Sequence, residues 1–142
     1  MQRLQIHLLT RRLRHFYMSY PCEQFVWDGR SIPAEAIDGV LCVINLTGQP
    51  IFDRAWTQAY RKLILDSRLH AGTALADAIE KSDSKPQVVI QISGTDFYGM
   101  EPRDEVCDES SKPGVDFMAE VGRAHEEATG RLSSHTRVCI AR

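Results

Sequence analysis

No apolar run in this sequence is long enough to cross a bilayer. The longest, Val40-Leu41-Cys42-Val43-Ile44, falls far short of the roughly 18 to 20 residues a membrane helix needs. Basic charge is not in excess either: 17 Lys and Arg stand against 19 Asp and Glu, a net charge of -2. That balance gives no electrostatic ground for sequence-independent nucleic-acid binding, so neither nucleic acid nor membrane is expected as a partner. The four cysteines, Cys22, Cys42, Cys107 and Cys139, form no CxxC, and no two of the five histidines stand four apart. A zinc site is therefore not expected, and the thiols read as reduced and structural. Cys42 and Cys139 lie inside apolar runs, where a free thiol behaves as a small hydrophobe. Nine glycines are present, yet none is set as G-x-G-x-x-G. The start lacks the apolar core and small-residue cleavage site of a signal peptide, so the cytoplasm is the expected compartment. Arg11, Arg12 and Arg14 leave a mitochondrial transit peptide as the alternative, which His15-Phe-Tyr-Met-Ser-Tyr-Pro continues poorly.

What is present suits one compact domain over residues 1–142. Leu4 to Leu9, Val40 to Leu46, Gln87 to Ile92 and Arg137 to Ala141 read as short strands, with Phe25-Val26-Trp27 a fifth before an Asp28-Gly29 turn. The second and third are apolar without clean alternation, which predicts a parallel sheet covered on both faces. Asp53 to Lys81 predicts a long helix, with Trp56, Tyr60, Leu63, Ser67, Ala71, Ala74, Leu75 and Ala78 on its inner face. Asp116 is a suitable cap for a second helix that turns Phe117, Val121, Ala124 and Ala128 inward and stops near Gly130. Met100 to Gly114, with two prolines and the acidic Asp104, Glu105, Asp108 and Glu109, reads as a solvated loop. Strands alternating with helices make an α/β fold with right-handed crossovers.

Several local signatures converge. Val43-Ile-Asn-Leu-Thr-Gly-Gln-Pro-Ile51 closes a strand, and Trp56 to Arg68 opens the long helix. Ile92-Ser-Gly-Thr-Asp-Phe-Tyr-Gly99 follows the next strand, and Glu105 to Phe117 leads into the last helix. With Trp27-Asp28-Gly29, these resemble the epimerase-like, atypical branch of the short-chain dehydrogenase/reductases, from Leu4 to Ala141. The resemblance implies an incomplete Rossmann-type three-layer sandwich, mostly parallel, lacking the first strand and the Gly-rich turn on which a pyrophosphate rests. By the same comparison the chain starts at the family's second strand and stops before its substrate-binding part. It then reads as a fragment, a splice or gene-model product, or a degenerate member.

The resemblance also implies a cofactor, NADP(H), and site residues. It sets Thr10 and Arg11 beside the adenosine ribose and its 2′-phosphate, which a permanently charged planar fork suits, with Arg12 in reserve. Asn45, Leu46, Thr47 and Gly48 stand at the strand edge where open α/β sheets bind ligands, Thr47 where relatives commonly carry Ala. Arg68 falls near the cofactor, and Leu63 where relatives often have Glu. Ser93 and Thr95 are the hydroxyls that would polarise a reacting carbonyl, and Tyr98 is a further catalytic candidate. The Tyr-x-x-x-Lys pair of the superfamily has no counterpart in Phe117-Met-Ala-Glu-Val-Gly-Arg-Ala-His125; His125 and Glu126 on the same helix are the candidate replacements. The expected activity is hydride exchange between the nicotinamide dinucleotide and an unidentified carbonyl or sugar-nucleotide-like small molecule, impaired by the missing turn. The alternative is a non-catalytic remnant that binds a protein partner, as relatives with a cell-division label suggest, and exposed sheet edge would then favour a homodimer.

Overall fold

The computed structural model describes residues 4–13, 20–101, 104, 106–134 and 136–142. Arg14 and the His15–Ser19 segment, weighed above as a transit signal, lie outside the described residues, as does Glu105. Five strands and two helices follow one another as β1 (Ile6–Thr10), β2 (Cys22–Val26), β3 (Cys42–Asn45), α1 (Gln58–Lys81), β4 (Val88–Ile92), α2 (Phe117–Gly130) and β5 (Arg137–Ala141). All pairings are parallel, but they form two sheets: β1 with β2, and β3-β4-β5. A doubly wound sheet in the order 3-2-1-4-5-6 yields this pair of sheets when its central first strand is not among the strands described. The incomplete Rossmann-type arrangement is thus the observed one.

Register decides which side chains meet. Val43, Val89 and Val138 stand abreast, and two residues on, Asn45 stands beside Gln91 on the same face. Right-handed crossovers carry α1 and α2 over that face. There Val89 is buried with Leu75, Ala76 and Ile79 of α1, Ile37 and Leu132, while Val43 and Val138 pack on them half-buried. A second cluster joins Tyr60 and Ile64 of α1 to Met118 and Val121 of α2. The two helices approach so closely that a Cβ on Gly72 would stand 2.6 Å from that of Ala128.

Several expectations need correction. The face bearing Ile44, Ile90 and Cys139 carries no helix among the described residues, so Ile44 is 56% exposed and β3 is not covered on both sides. Cys42 is likewise exposed instead of structural filling, although all four cysteines are free as expected. The long helix starts at Gln58 instead of Asp53, because the Thr57 hydroxyl accepts from the Tyr60 N–H and caps it. Its inner face runs through Tyr60, Ile64, Ala71, Leu75 and Ile79, leaving Leu63 exposed. In α2, Met118, Ala119, Val121, Gly122, His125 and Thr129 are buried, while Phe117, Ala124 and Ala128 are only half so. The Asp116 cap and the Asp28-Gly29 turn are as read: Asp116 accepts from Ala119 N–H, and Gly29 takes φ 83°.

Candidate functional site

A cavity of about 330 Å³ opens at the C-terminal ends of β3 and β4, lined by residues 46–52, Arg68, Ile92 to Gly94, Asp96, Val121, Gly122 and His125. One wall is the chain leaving β3, and α1 and Trp56 just before it hold it by its carbonyls. The Arg68 guanidinium donates to Gln49 O at 3.1 Å, the Tyr60 hydroxyl to Pro50 O at 2.5 Å and the Trp56 indole to Ile51 O at 2.8 Å. The Ser67 hydroxyl accepts from Gln49 N–H at 2.9 Å. The Arg68 guanidinium packs against Gly48, where a Cβ would stand 2.8 Å from its Cζ and oblige it to shift. One Arg68 guanidinium nitrogen donates to both the Gln49 and the Ile64 carbonyls. Burial lowers its pKa and raises that of Asp96, the acid across the cavity.

Behind the lining, a chain of side-chain amides joins Thr47 to His125. Asn45 Oδ1 accepts from the backbone N–H of Thr47 at 3.1 Å and from its hydroxyl at 2.6 Å. Asn45 Nδ2 then donates to Gln91 Oε1 at 2.8 Å, and Gln91 Nε2 lies 2.6 Å from His125 Nε2. Gln91 is fully buried and His125 nearly so. Burial pushes the imidazole pKa down to about 4, the Arg68 charge adding to the effect and Glu126 opposing it.

At the α2 side, the Ser93 hydroxyl donates to Glu126 Oε1 at 2.7 Å. Glu126 is clamped by Arg142, whose Nε and Nη2 reach it at 2.9 and 2.7 Å. The Arg142 guanidinium also covers the Phe97 ring at 3.8 Å and donates to the Tyr98 hydroxyl at 3.1 Å.

The structure brings Leu46, Thr47, Gly48, Arg68 and Ser93 to this one cavity and leaves Asn45 buried behind Thr47. It does not bring Thr10, Arg11, Thr95 or Tyr98 there. Thr10 and the exposed Arg11 end β1, in the other sheet, where the Thr10 hydroxyl donates to Arg12 O. Thr95 is exposed at the start of a 3-10 turn, and Tyr98 is buried beneath Arg142. Sequence reasoning missed Gln91, Asp96 and Gly122. For Gln91 a signal existed: a lone amide in Val-Val-Ile-Gln-Ile is a polar group in a buried strand, which has to find a partner. Among the described residues no group of histidine, cysteine or acidic side chains is arranged to hold a metal, and no helix is long and apolar enough to cross a membrane.

No family model matches the chain. It is similar to the chloroplastic SDR39U1 homolog of Arabidopsis thaliana, an epimerase family protein, at 30% identity over 96% of this chain and 40% of that protein. The human epimerase family protein SDR39U1, whose crystal structure contains NADPH, superposes with a TM-score of 0.76 at 25% identity, over 96% of this chain and 44% of that one. A nucleoside-diphosphate sugar epimerase of Corynebacterium glutamicum shares the fold, with a TM-score of 0.72 at 23% identity over 99% of this chain and 34% of that one. The chain thus spans less than half the length of these relatives. Along nearly its whole length, it is similar to part of these epimerase family proteins.

Proposed function

We propose that this chain is the partial nucleotide-binding domain of an epimerase-like oxidoreductase that uses a nicotinamide dinucleotide, NADP(H), on a carbonyl or sugar-nucleotide-like substrate. The observation that carries the reading is the position of the cavity, at the C-terminal ends of β3 and β4, where open parallel sheets take their ligands. NADPH in the human SDR39U1 structure supports the choice of cofactor. The residues present fit its nicotinamide and ribose end: Gly48 lets the backbone approach, and Arg68 and Asp96 offer charge and acceptor oxygens. Arg11, exposed at the end of β1, is free to meet a 2′-phosphate. The diphosphate has no counterpart cradle, as none of the glycines is set for one.

When bound, the cofactor would supply or accept hydride. The chain's own residues would orient the substrate oxygen. Ser93 is a hydroxyl at the cavity that donates its hydrogen bond to Glu126, itself held by Arg142, and it would turn from Glu126 to meet the substrate oxygen. Thr95 and Tyr98 stand farther back on the same connection.

Calorimetric titration of the folded chain with NADPH and with NADH tests the reading. NADPH should bind in the micromolar range and more tightly than NADH. Arg11→Ala should weaken NADPH by about 1.5–3 kcal/mol, roughly ten- to hundredfold, and leave NADH unchanged. Equal loss for both nucleotides would remove Arg11 from the phosphate site, and no heat from either would sink the cofactor reading. A second inference, self-association, is favoured by a separate observation: β3 is an edge strand, and Leu41, Ile44 and Leu46 around it are exposed.

A further inference from the structure

Amide side chains can be flipped by half a turn without changing their shape, so a network is informative only where obligate groups fix it. This one is fixed at both ends. The Thr47 backbone N–H can only donate, so the Asn45 atom facing it is the oxygen. Asn45 Nδ2 must then donate to Gln91, which places Oε1 there. Independently, the Ile92 carbonyl can only accept, and it receives Gln91 Nε2 at 3.2 Å. Both anchors give Gln91 the same orientation, and it turns N–H toward His125 Nε2 at 2.6 Å. An imidazole nitrogen facing a donor has to be the bare, accepting one. The ring proton is left on Nδ1, which has no partner among the described residues, on a side chain that lines the cavity.

We infer that Asn45 and Gln91 are positioning residues that hold His125 as the neutral Nδ1–H tautomer, so that the cavity presents an N–H donor for an acceptor oxygen of its ligand. The neighbouring hydroxyl is differently placed, because Ser93 already donates its hydrogen bond to Glu126. His125 is therefore the group through which the cavity would distinguish a carbonyl or carboxamide oxygen from a donor such as an ammonium. Protonating Nε2 would set N–H against N–H, so the arrangement itself opposes the imidazolium. The charges that bear on the ring are Arg68 from α1 and Glu126 on its own helix, with Asp96 from the turn after β4 on the same cavity. Arg68 and the donor amide disfavour the cation, while Glu126 favours it. Only the identity of the ligand rests on the cofactor reading above.

The test is a long-range proton–nitrogen correlation spectrum of the 15N-labelled chain near neutral pH, with the His125 ring assigned by its disappearance in His125→Gln. A protonated Nδ1 and a bare Nε2 are expected, and the reverse pattern overturns the inference. Gln91→Glu supplies the perturbation, since a carboxylate can accept at both the Asn45 and the His125 contact. It should move the proton onto Nε2, as imidazolium or as the other tautomer. A folded Gln91→Glu chain whose His125 keeps Nδ1–H and a bare Nε2 would show that Gln91 does not set the tautomer. If that variant does not fold, the wild-type spectrum alone decides. Adding NADPH should shift the Nδ1–H resonance. Calorimetric binding without that shift overturns the donor role, whereas absence of binding counts against the cofactor reading and leaves the tautomer result to stand or fall on the ligand-free spectrum.

Discussion

Protonation of His125 has to break a contact, and that makes the whole chain sensitive to acid. Its pKa is about 4 in the folded state against an ordinary 6.5, chiefly through burial. Below pH 6.5 the unfolded chain therefore takes up a proton that the native state refuses. The contribution is fully present above about 6.5 and is lost progressively as pH falls toward 4, at up to about 1.4 kcal/mol per pH unit. Asp96 works in the opposite sense, because burial raises its pKa and a lower pH relieves the cost of its charge. The urea midpoint should therefore fall between pH 7 and pH 5, and the fall should be shallower in His125→Gln. Equal slopes in the two proteins would clear His125 of the effect. The site was legible in the sequence where a strand ended in a familiar way, at Asn45 to Gly48 and at Ser93, and at Arg68 and His125 on the helices. Gln91 and Asp96 were not, since their roles come from register and from a turn that folds an acid back over the cavity.

The helices were legible as elements, but their faces were not. Trp56, Leu63 and Ser67 fit a helical period as well as Tyr60, Ile64 and Leu75 do, and the choice falls to whichever stripe the sheet and the second helix cover. What they cover is set by the seam at Gly72 and Ala128. Gly72→Ala gains about 1 kcal/mol of helix propensity and meets an overpacking cost of about 1–3 kcal/mol. With a Cβ–Cβ approach of 2.6 Å, the cost should win, lowering the urea-derived stability by about 1 kcal/mol. Ala128→Gly should then be less harmful in the Gly72→Ala background than alone, as contact coupling requires. A stabilised Gly72→Ala chain, or strictly additive changes, would show that the helices stand farther apart.

For the molecule as a whole, the absence of a described strand between β1 and β3 governs behaviour. The order of strands and helices was readable, because alternating apolar and amphipathic segments report it directly. The division into two sheets was not, since strands in a split sheet and in a continuous one have the same local pattern. With β3 at an edge and Ile44 on an open face, sedimentation velocity should show association that grows with concentration, and Ile44→Lys should reduce it. Concentration-independent monomers in the wild type would refute this. The division also sets how long each part holds its protons. Among the described residues neither β1 nor β2 supplies a residue to the two buried clusters, and His7 links the pair to the rest through a hydrogen bond with Ala36 O. In deuterated buffer the amides of β1 and β2 should exchange early, through an opening that leaves the remainder intact, while those of β4, flanked on both sides, should wait for global unfolding.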